Sequence, residues 1–168
     1  MIEEYFNKLS EIAEKIDKTE AAQAIKIVQE ALVEGKLVCT IGNGGSSSTS
    51  SHYVNDWVKG FSVKNNVNCR AICLSDNTPT LTAIGNDIGF DEIFSFQVAR
   101  LMSKGDVLVC VSGSGNSRNI LEAVKQAHLQ GVVVVSITGF DGGDLLKESD
   151  YSYHVPVHDM QIVEDLHS

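Results

Sequence analysis

Ile41 to Ser51, IGNGGSSSTSS, ends an apolar run in three closely spaced glycines and a string of small hydroxyl residues. The apolar part, from Leu37 to Ile41, predicts a buried strand. The glycines let backbone approach a ligand closely, and Gly45 onward predicts the first turns of a helix. Free N–H groups, the positive end of the helix dipole and serine hydroxyls then converge on one spot, a combination suited to an anion such as phosphate. The same grammar recurs downstream. Asp106 to Val111 is a second apolar run, and it ends in Ser112-Gly-Ser-Gly-Asn-Ser117 before a helical pattern from about Asn116.

Val132 to Thr138 is a continuous β-branched run, as expected of a strand covered on both faces. Cys69 to Leu74 and Tyr151 to Val155 supply two more strands. Helical patterns separate them: Gly45 to about Lys59, Thr78-Pro79 toward Ile84 with a break at Gly85-Asn86-Asp87, Phe90 to Leu101, Ile120 to Ala127 ending at Gly131, and a short piece at Asp144 to Glu148. Two amphipathic helices precede the first strand. One carries Ile2, Tyr5, Phe6, Leu9, Ile12, Ala13 and Ile16; the other starts at Thr19 and stops at Gly35. Alternating strands and helices predict an α/β fold, a three-layer α-β-α sandwich on a five-stranded parallel sheet, preceded by an N-terminal helical hairpin. Residues 1–168 are expected to form a single domain, with 1–35 the leading helices and 36–168 the ligand-binding core. From Met160 one more helix begins, which the chain end is expected to cut short.

Composition narrows the function. The chain is 43% hydrophobic and 21% charged, and its net charge of −9 argues against a broad nucleic-acid footprint, which needs clustered Lys and Arg. No apolar run approaches a membrane span, and the acidic N-terminus lacks the features of a secretory signal, so the expectation is a cytoplasmic protein with no membrane partner. Cys39, Cys69, Cys73 and Cys110 all lie in apolar, strand-like runs and are expected to be buried thiols.

In open parallel sheets, ligands sit beyond the carboxyl ends of the strands, where both glycine–serine loops and Asp76 fall. Neither loop has the Lys-[Ser/Thr] of a P-loop or a G-x-G-x-x-G fingerprint, so no nucleotide cofactor is expected. As a pair they suit a sugar phosphate. Ser112, Ser114 and Ser117 would surround the phosphate while Asn43, Gly44 and Gly45 meet the other end. Arg118 is either a charge for that phosphate or a solvated surface residue. His52 and Asp56, one turn apart on the helix leaving the first loop, admit three readings: metal ligands, an acid/base pair, or a surface ion pair. Glu164 and His167, near the end, are expected at the surface.

GNGGSSS, AIGNDIGFDEIFS, SGSGNSRNILEA and TGFDGG, in this order and spacing, resemble the sugar-isomerase (SIS) domain family, with the phosphoheptose isomerase branch nearest. The resemblance spans nearly the whole chain. It implies a homotetramer (or dimer) with active sites between subunits. It also implies a ketose-to-aldose isomerisation of sedoheptulose 7-phosphate through an enediol, feeding lipopolysaccharide or another surface glycan, with zinc, one ion per site, often bound nearby. Carried over by position, Asn43, Gly44 and Gly45 would contact sugar, Ser112, Gly113, Ser114 and Ser117 the phosphate, and Asn86 and Asp87 the hydroxyls. His52 falls at a metal-ligand histidine, and Asp56 at the catalytic glutamate, one methylene shorter. Gly113 stands where the family has a threonine. His52, Asp56 and Glu164 would be the zinc ligands. Near the end, Glu164 falls at the family's glutamine and His167 at its first histidine, and a second histidine would lie beyond Ser168; truncation is the expectation. The altered carboxylates leave an alternative in the same family: a non-catalytic sugar-phosphate-binding or scaffold protein, such as the branch that associates with the replication initiator DnaA.

Overall fold

The computed structural model describes residues 2–168. In chain order the elements are α1 (Ile2–Lys15), α2 (Lys18–Val33), β1 (Leu37–Gly42) and α3 (Gly45–Asn55), the last continuing through a π-helical turn (Asp56–Phe61) into α4 (Ser62–Asn65). Then follow β2 (Arg70–Cys73), α5 (Thr78–Asp87), a 3-10 turn (Phe90–Glu92), α6 (Ser95–Leu101) and β3 (Val107–Ser112). The chain closes with α7 (Arg118–Gln130), β4 (Val133–Thr138), α8 (Gly143–Glu148), β5 (Tyr151–His154) and α9 (Met160–His167). The five strands pair in parallel in the order β2-β1-β3-β4-β5.

Alternate side chains of each strand enter opposite layers, because successive Cβ atoms point to opposite faces of a sheet. Cys39, Ile41, Leu108, Cys110 and Val134 pack against α5, α6, α7 and α8 through Ile84, Phe94, Val98, Ile120, Ala123, Val124 and Leu145. Val38, Val107, Val109 and Val135 face the other way, onto Ala24, Val28, Ala31 and Leu32 of α2 and onto Val54, Trp57 and Phe61. This two-sided burial explains why the strands read as unbroken apolar runs. Carboxylates hold the strand starts together. Buried Asp106 accepts hydrogen bonds from the Leu37 N–H at 2.9 Å and the Ser103 N–H at 2.7 Å, and Asp150 accepts one from the Val134 N–H at 2.8 Å.

The cysteines follow the expectation of apolar packing: Cys39, Cys73 and Cys110 are buried, Cys69 is half-buried, and all four are free. Burial pushes the Cys39 thiol up to about 12, which keeps it protonated and inert.

Several boundaries differ from the sequence reading, each for a physical reason. Gly85 does not break its helix; α5 runs to Asp87, and Gly89, with φ 145°, ends it. Its cap is Asn77, whose side chain accepts from the Thr80 N–H at 3.1 Å. The Phe90 to Leu101 pattern splits into the 3-10 turn and α6. The helix after the second loop starts at Arg118, two residues later than the pattern suggested. Asp17, unnoticed in the sequence, caps α2 through the N–H groups of Thr19 and Glu20 at 2.9 and 3.0 Å.

The two leading helices are present and serve different layers. α2 lies on the sheet, whereas α1 packs on α9 through Ile12, with Tyr5, Leu9 and Ile16 around Ile162 and Val163. Lys8 binds Asp159 at 2.6 Å and Tyr5 donates to Asp165, fastening the first helix to the last. Ile162 and Val163 are fully buried. α9 thereby lies across the carboxyl ends of the central strands: a β-carbon at Gly139 would collide with the Val163 side chain, and one at Gly113 would meet the Met160 sulfur at 3.1 Å.

Candidate functional site

The sheet order reverses at β1, which has β2 on one side and β3 on the other, so the loops leaving β1 and β3 part in opposite directions. A crevice at that switch point is where open α/β sheets bind ligands. The first loop owes its shape to glycine. Gly44 has φ 54° and ψ −124°, outside the range of ordinary L-residues, and it turns the chain so that α3 begins at Gly45 with no side-chain cap. Its first N–H groups therefore remain open. At Gly42 a β-carbon would strike the Ser46 carbonyl, so strand and helix meet there only through glycine.

The second loop is held by its own hydrogen bonds. Ser112 Oγ accepts from the Gly115 N–H at 3.2 Å, Ser114 Oγ accepts from the Asn116 N–H at 3.3 Å, and Asn116 Nδ2 donates to the Ser114 carbonyl at 3.0 Å. Asn116 Oδ1 also accepts the Asp144 N–H at 3.1 Å, tying the loop to α8. Ser117 occupies the N-cap position of α7 but makes no capping bond. The start of a thirteen-residue helix thus lies beside Ser112, Ser114 and Ser117 with donors to spare. Gly113, where the resembling family has threonine, borders Met160, so the last helix occupies the space of the missing side chain.

Asn43 and Asn119 join the two loops. Each carboxamide donates to the other at 2.9 Å, and Asn119 is 1% exposed. Asn119 was missed in the sequence, since a lone asparagine in the first turn of a helix carries no signal of its own. Asn86 and Asp87 are exposed at the end of α5, where Asn86 Nδ2 donates to Asp87 Oδ1 at 2.8 Å. The 3-10 turn that follows them reaches the second loop's helix, because Asp91 pairs with Arg118 at 3.4 Å. With its side chain 79% exposed in that pair, Arg118 is a solvated surface residue.

His52 and Asp56 do come together: His52 Nε2 lies 3.5 Å from Asp56 Oδ2, with both side chains 62% exposed. His52 borders an open groove of about 480 Å³ lined also by Ser47, Ser48, Ser51, Asn55 and Asp76. Ser51 Oγ donates to Asp76 Oδ2 at 3.2 Å across it. Asp56 is also the first residue of the π-helical turn, which the sequence reading had as plain helix. Such turns widen a helix locally and re-aim its side chains.

Glu164 goes elsewhere. Its carboxylate lies 2.8 Å from where a β-carbon of Gly45 would stand, against the start of α3. Among the described residues, no group of three or more His, Cys, Asp or Glu side chains is placed to hold a metal ion. The zinc set His52, Asp56 and Glu164 is therefore not assembled within one chain.

His167 corrects the expectation of a surface residue. It is 4% exposed, with Nε2 donating to the Thr138 carbonyl at 3.1 Å, while Tyr53 donates its hydroxyl hydrogen bond to the His167 carbonyl. On the other side of Thr138, its Oγ1 pairs with His154 Nδ1 at 3.0 Å. Burial holds both rings below the usual 6.5, in each case against a hydrogen bond to Thr138 that favours the charged form. His154 also sees Asp141 and Glu20. Both rings are neutral in the fold, whereas the unfolded chain takes up protons below its own value of 6.5, so the unfolded state binds more protons there. Stability is full above that pH and falls as pH drops toward the depressed folded values. We expect Tm to decline as pH falls below about 6.5. His167→Gln, which keeps a donor for Thr138, should flatten that decline, as differential scanning fluorimetry across pH would show.

The family model described as the SIS domain matches residues 4–139. Phosphoheptose isomerase from Neisseria gonorrhoeae is 42% identical over 147 residues, covering 86% of this chain and 74% of that protein. Phosphoheptose isomerase from Alteromonas mediterranea is 36% identical over 148 residues, with the same coverage of 86% and 74%. Among solved structures, phosphoheptose isomerase GmhA from Neisseria gonorrhoeae superposes with a TM-score of 0.88 at 35% identity, covering 99% of this chain and 90% of that one. A phosphoheptose isomerase from Francisella tularensis gives a TM-score of 0.88 at 32% identity, again covering 99% and 90%.

Proposed function

We propose that this chain, which belongs to the SIS domain family, is an isomerase that converts sedoheptulose 7-phosphate from the ketose to the aldose form. The observation that carries this reading is the pair of glycine–serine loops at the ends of adjacent strands β1 and β3, joined by Asn43 and Asn119, in a chain so similar to phosphoheptose isomerases. One loop holds a phosphate and the other meets the sugar.

The phosphate sits at the start of α7, where unpaired N–H groups, the helix dipole and the hydroxyls of Ser112, Ser114 and Ser117 supply hydrogen bonds without a lysine or arginine. A protein of net charge −9 thereby binds an anion locally. Asn43, Gly44 and Gly45 face the sugar, and Asn86 and Asp87 take its hydroxyls. Asp56 removes the proton from C1 beside the C2 carbonyl, giving the enediol. His52 passes a proton between the two oxygens, and return of a proton to C2 completes the aldose with no net change in composition. Zinc would add polarisation of the carbonyl; the donors of one chain do not close around an ion, and no step here depends on it.

The exposure of His52 and Asp56, each 62%, supports a further part of the reading, self-association as a homotetramer or dimer, because proton abstraction beside a carbonyl benefits from exclusion of water. Exposed Phe6, Ile25, Val33 and Val63 offer apolar surface for such contacts. Among the described residues no helix is long and apolar enough to cross a membrane. Four free thiols support a cytoplasmic setting, where the product would feed lipopolysaccharide or another surface glycan. Incubation with sedoheptulose 7-phosphate, followed by proton NMR of the anomeric region, is expected to show the aldose phosphate. Absence of product at high enzyme concentration, with and without added zinc, would sink the isomerase reading.

A further inference from the structure

We propose that Asn119 is a positioning residue that sets the distance between the phosphate-holding helix and the sugar-facing loop. The proposal rests on the division of labour between the two loops given above. Asn119 lies in the first turn of α7, so its backbone belongs to the phosphate site, while its side chain reaches the loop after β1. A carboxamide has two donor hydrogens and two acceptor lone pairs. The two amides spend one of each on the other, through hydrogen bonds of 2.9 Å in both directions. The pairing is symmetrical: turning both amides over together restores it, whereas turning one over sets oxygen against oxygen and nitrogen against nitrogen. Asn43 is left with one N–H and one lone pair on a half-buried side chain, which is the complement of a sugar hydroxyl.

The chemistry requires such a link. Phosphate and reacting carbons lie at opposite ends of a seven-carbon chain, so a phosphate held firmly at α7 places C1 and C2 correctly only if the first loop keeps a constant separation from it. Adjacent strands fix the loop bases, but the loops diverge at the switch point, and the pairing of β1 with β3 ends at Gly42 and Val111. Beyond that point the Asn43–Asn119 pair spans the gap. Its burial matters too. At 1% exposure Asn119 is shielded from water that would compete for Asn43, so the link stays closed without ligand.

Calorimetry on Asn43→Ala, Asn119→Leu and the double variant tests this. Titration with inorganic phosphate probes the second loop alone, and titration with sedoheptulose 7-phosphate probes both loops. The gain in affinity of the sugar phosphate over phosphate is expected to fall about tenfold in Asn119→Leu and further in Asn43→Ala, which also removes a sugar contact, with the double no worse than Asn43→Ala, while phosphate affinity stays within about twofold of the unaltered protein. Where turnover is measurable, kcat should drop more than KM rises. Asn119→Gln keeps the amide but lengthens it, and should lose the same gain in affinity with a near-native Tm, which covers the case of a leucine variant that fails to fold. Additive losses in the double variant, an unchanged sugar increment in Asn119→Gln, or a collapse of phosphate affinity at native Tm would overturn the proposal. Failure of the unaltered protein to turn over the sugar phosphate would instead count against the isomerase reading, since the binding titrations do not depend on turnover.

Discussion

Asp56→Asn is expected to lower kcat by about 100-fold or more while leaving affinity for the sugar phosphate within a few-fold, because a positioned general base contributes roughly 10²–10⁴ to proton abstraction. The substitution keeps size and polarity and removes only basicity. Asp56 is well suited to report on chemistry and not on folding: its side chain is 62% exposed, and its recorded partners are His52 at 3.5 Å and the neighbouring Asn55 amide at 3.2 Å. No buried contact is lost, so Tm should hold within a few degrees. Asp56→Glu separates position from charge. The family carries glutamate at this place by resemblance, and the π-helical turn that begins at Asp56 alters how the side chain is presented. Retained or increased turnover in Asp56→Glu would show that the carboxylate is needed and that its reach is adjustable. Steady-state kinetics on the three proteins decides the matter; Asp56→Asn at the original rate would remove Asp56 from the mechanism and favour a sugar-phosphate-binding role.

Gly115→Ala is expected to destabilise the fold by about 3 kcal/mol or more, from a strained backbone combined with a steric clash. Gly115 has φ 64°, and a β-carbon there would overlap the Gly142 carbonyl group. Neither neighbour can yield cheaply. Gly115 donates its N–H to Ser112 Oγ and accepts the Leu145 N–H at 2.9 Å, and Gly142 immediately precedes α8, whose Leu145 is fully buried. For a chain of this size each kcal/mol moves Tm by roughly 2–4 °C, so a fall of about 6–12 °C should appear in a thermal melt. Phosphate affinity should fall with it, since the same movement opens the loop that carries Ser112, Ser114 and Ser117. A variant melting within about 2 °C of the unaltered protein would mean that the β3 and β4 loops are more pliant than their packing implies.

The layered sheet was legible because burial on both faces leaves an unbroken apolar run. Val107 to Val111 and Val132 to Val135 are apolar without interruption, and only strands covered on both faces tolerate that. The two loops were legible for a similar reason: glycine beside serine at a strand-to-helix junction is a local feature, set by φ at Gly44 and Gly115 and by the open helix starts that follow. Helix ends were less so. Gly85 looked like a break, yet packing beside Ile93 lets α5 pass through it.

What the sequence by itself determined, then, is the fold class, the two glycine–serine loops at the strand ends and the proximity of His52 to Asp56, each of which depends on residues within a few positions of one another. Only the tertiary structure decided which distant residues meet. It drew Asn119 to Asn43, buried His167 beneath Thr138, sent Glu164 to Gly45 and away from His52, and laid Met160 over Gly113. Those contacts span between 29 and 119 residues of chain and arise from the parallel crossover order, which brings the ends of β1, β3 and β4 side by side and leaves α9 to pack across them.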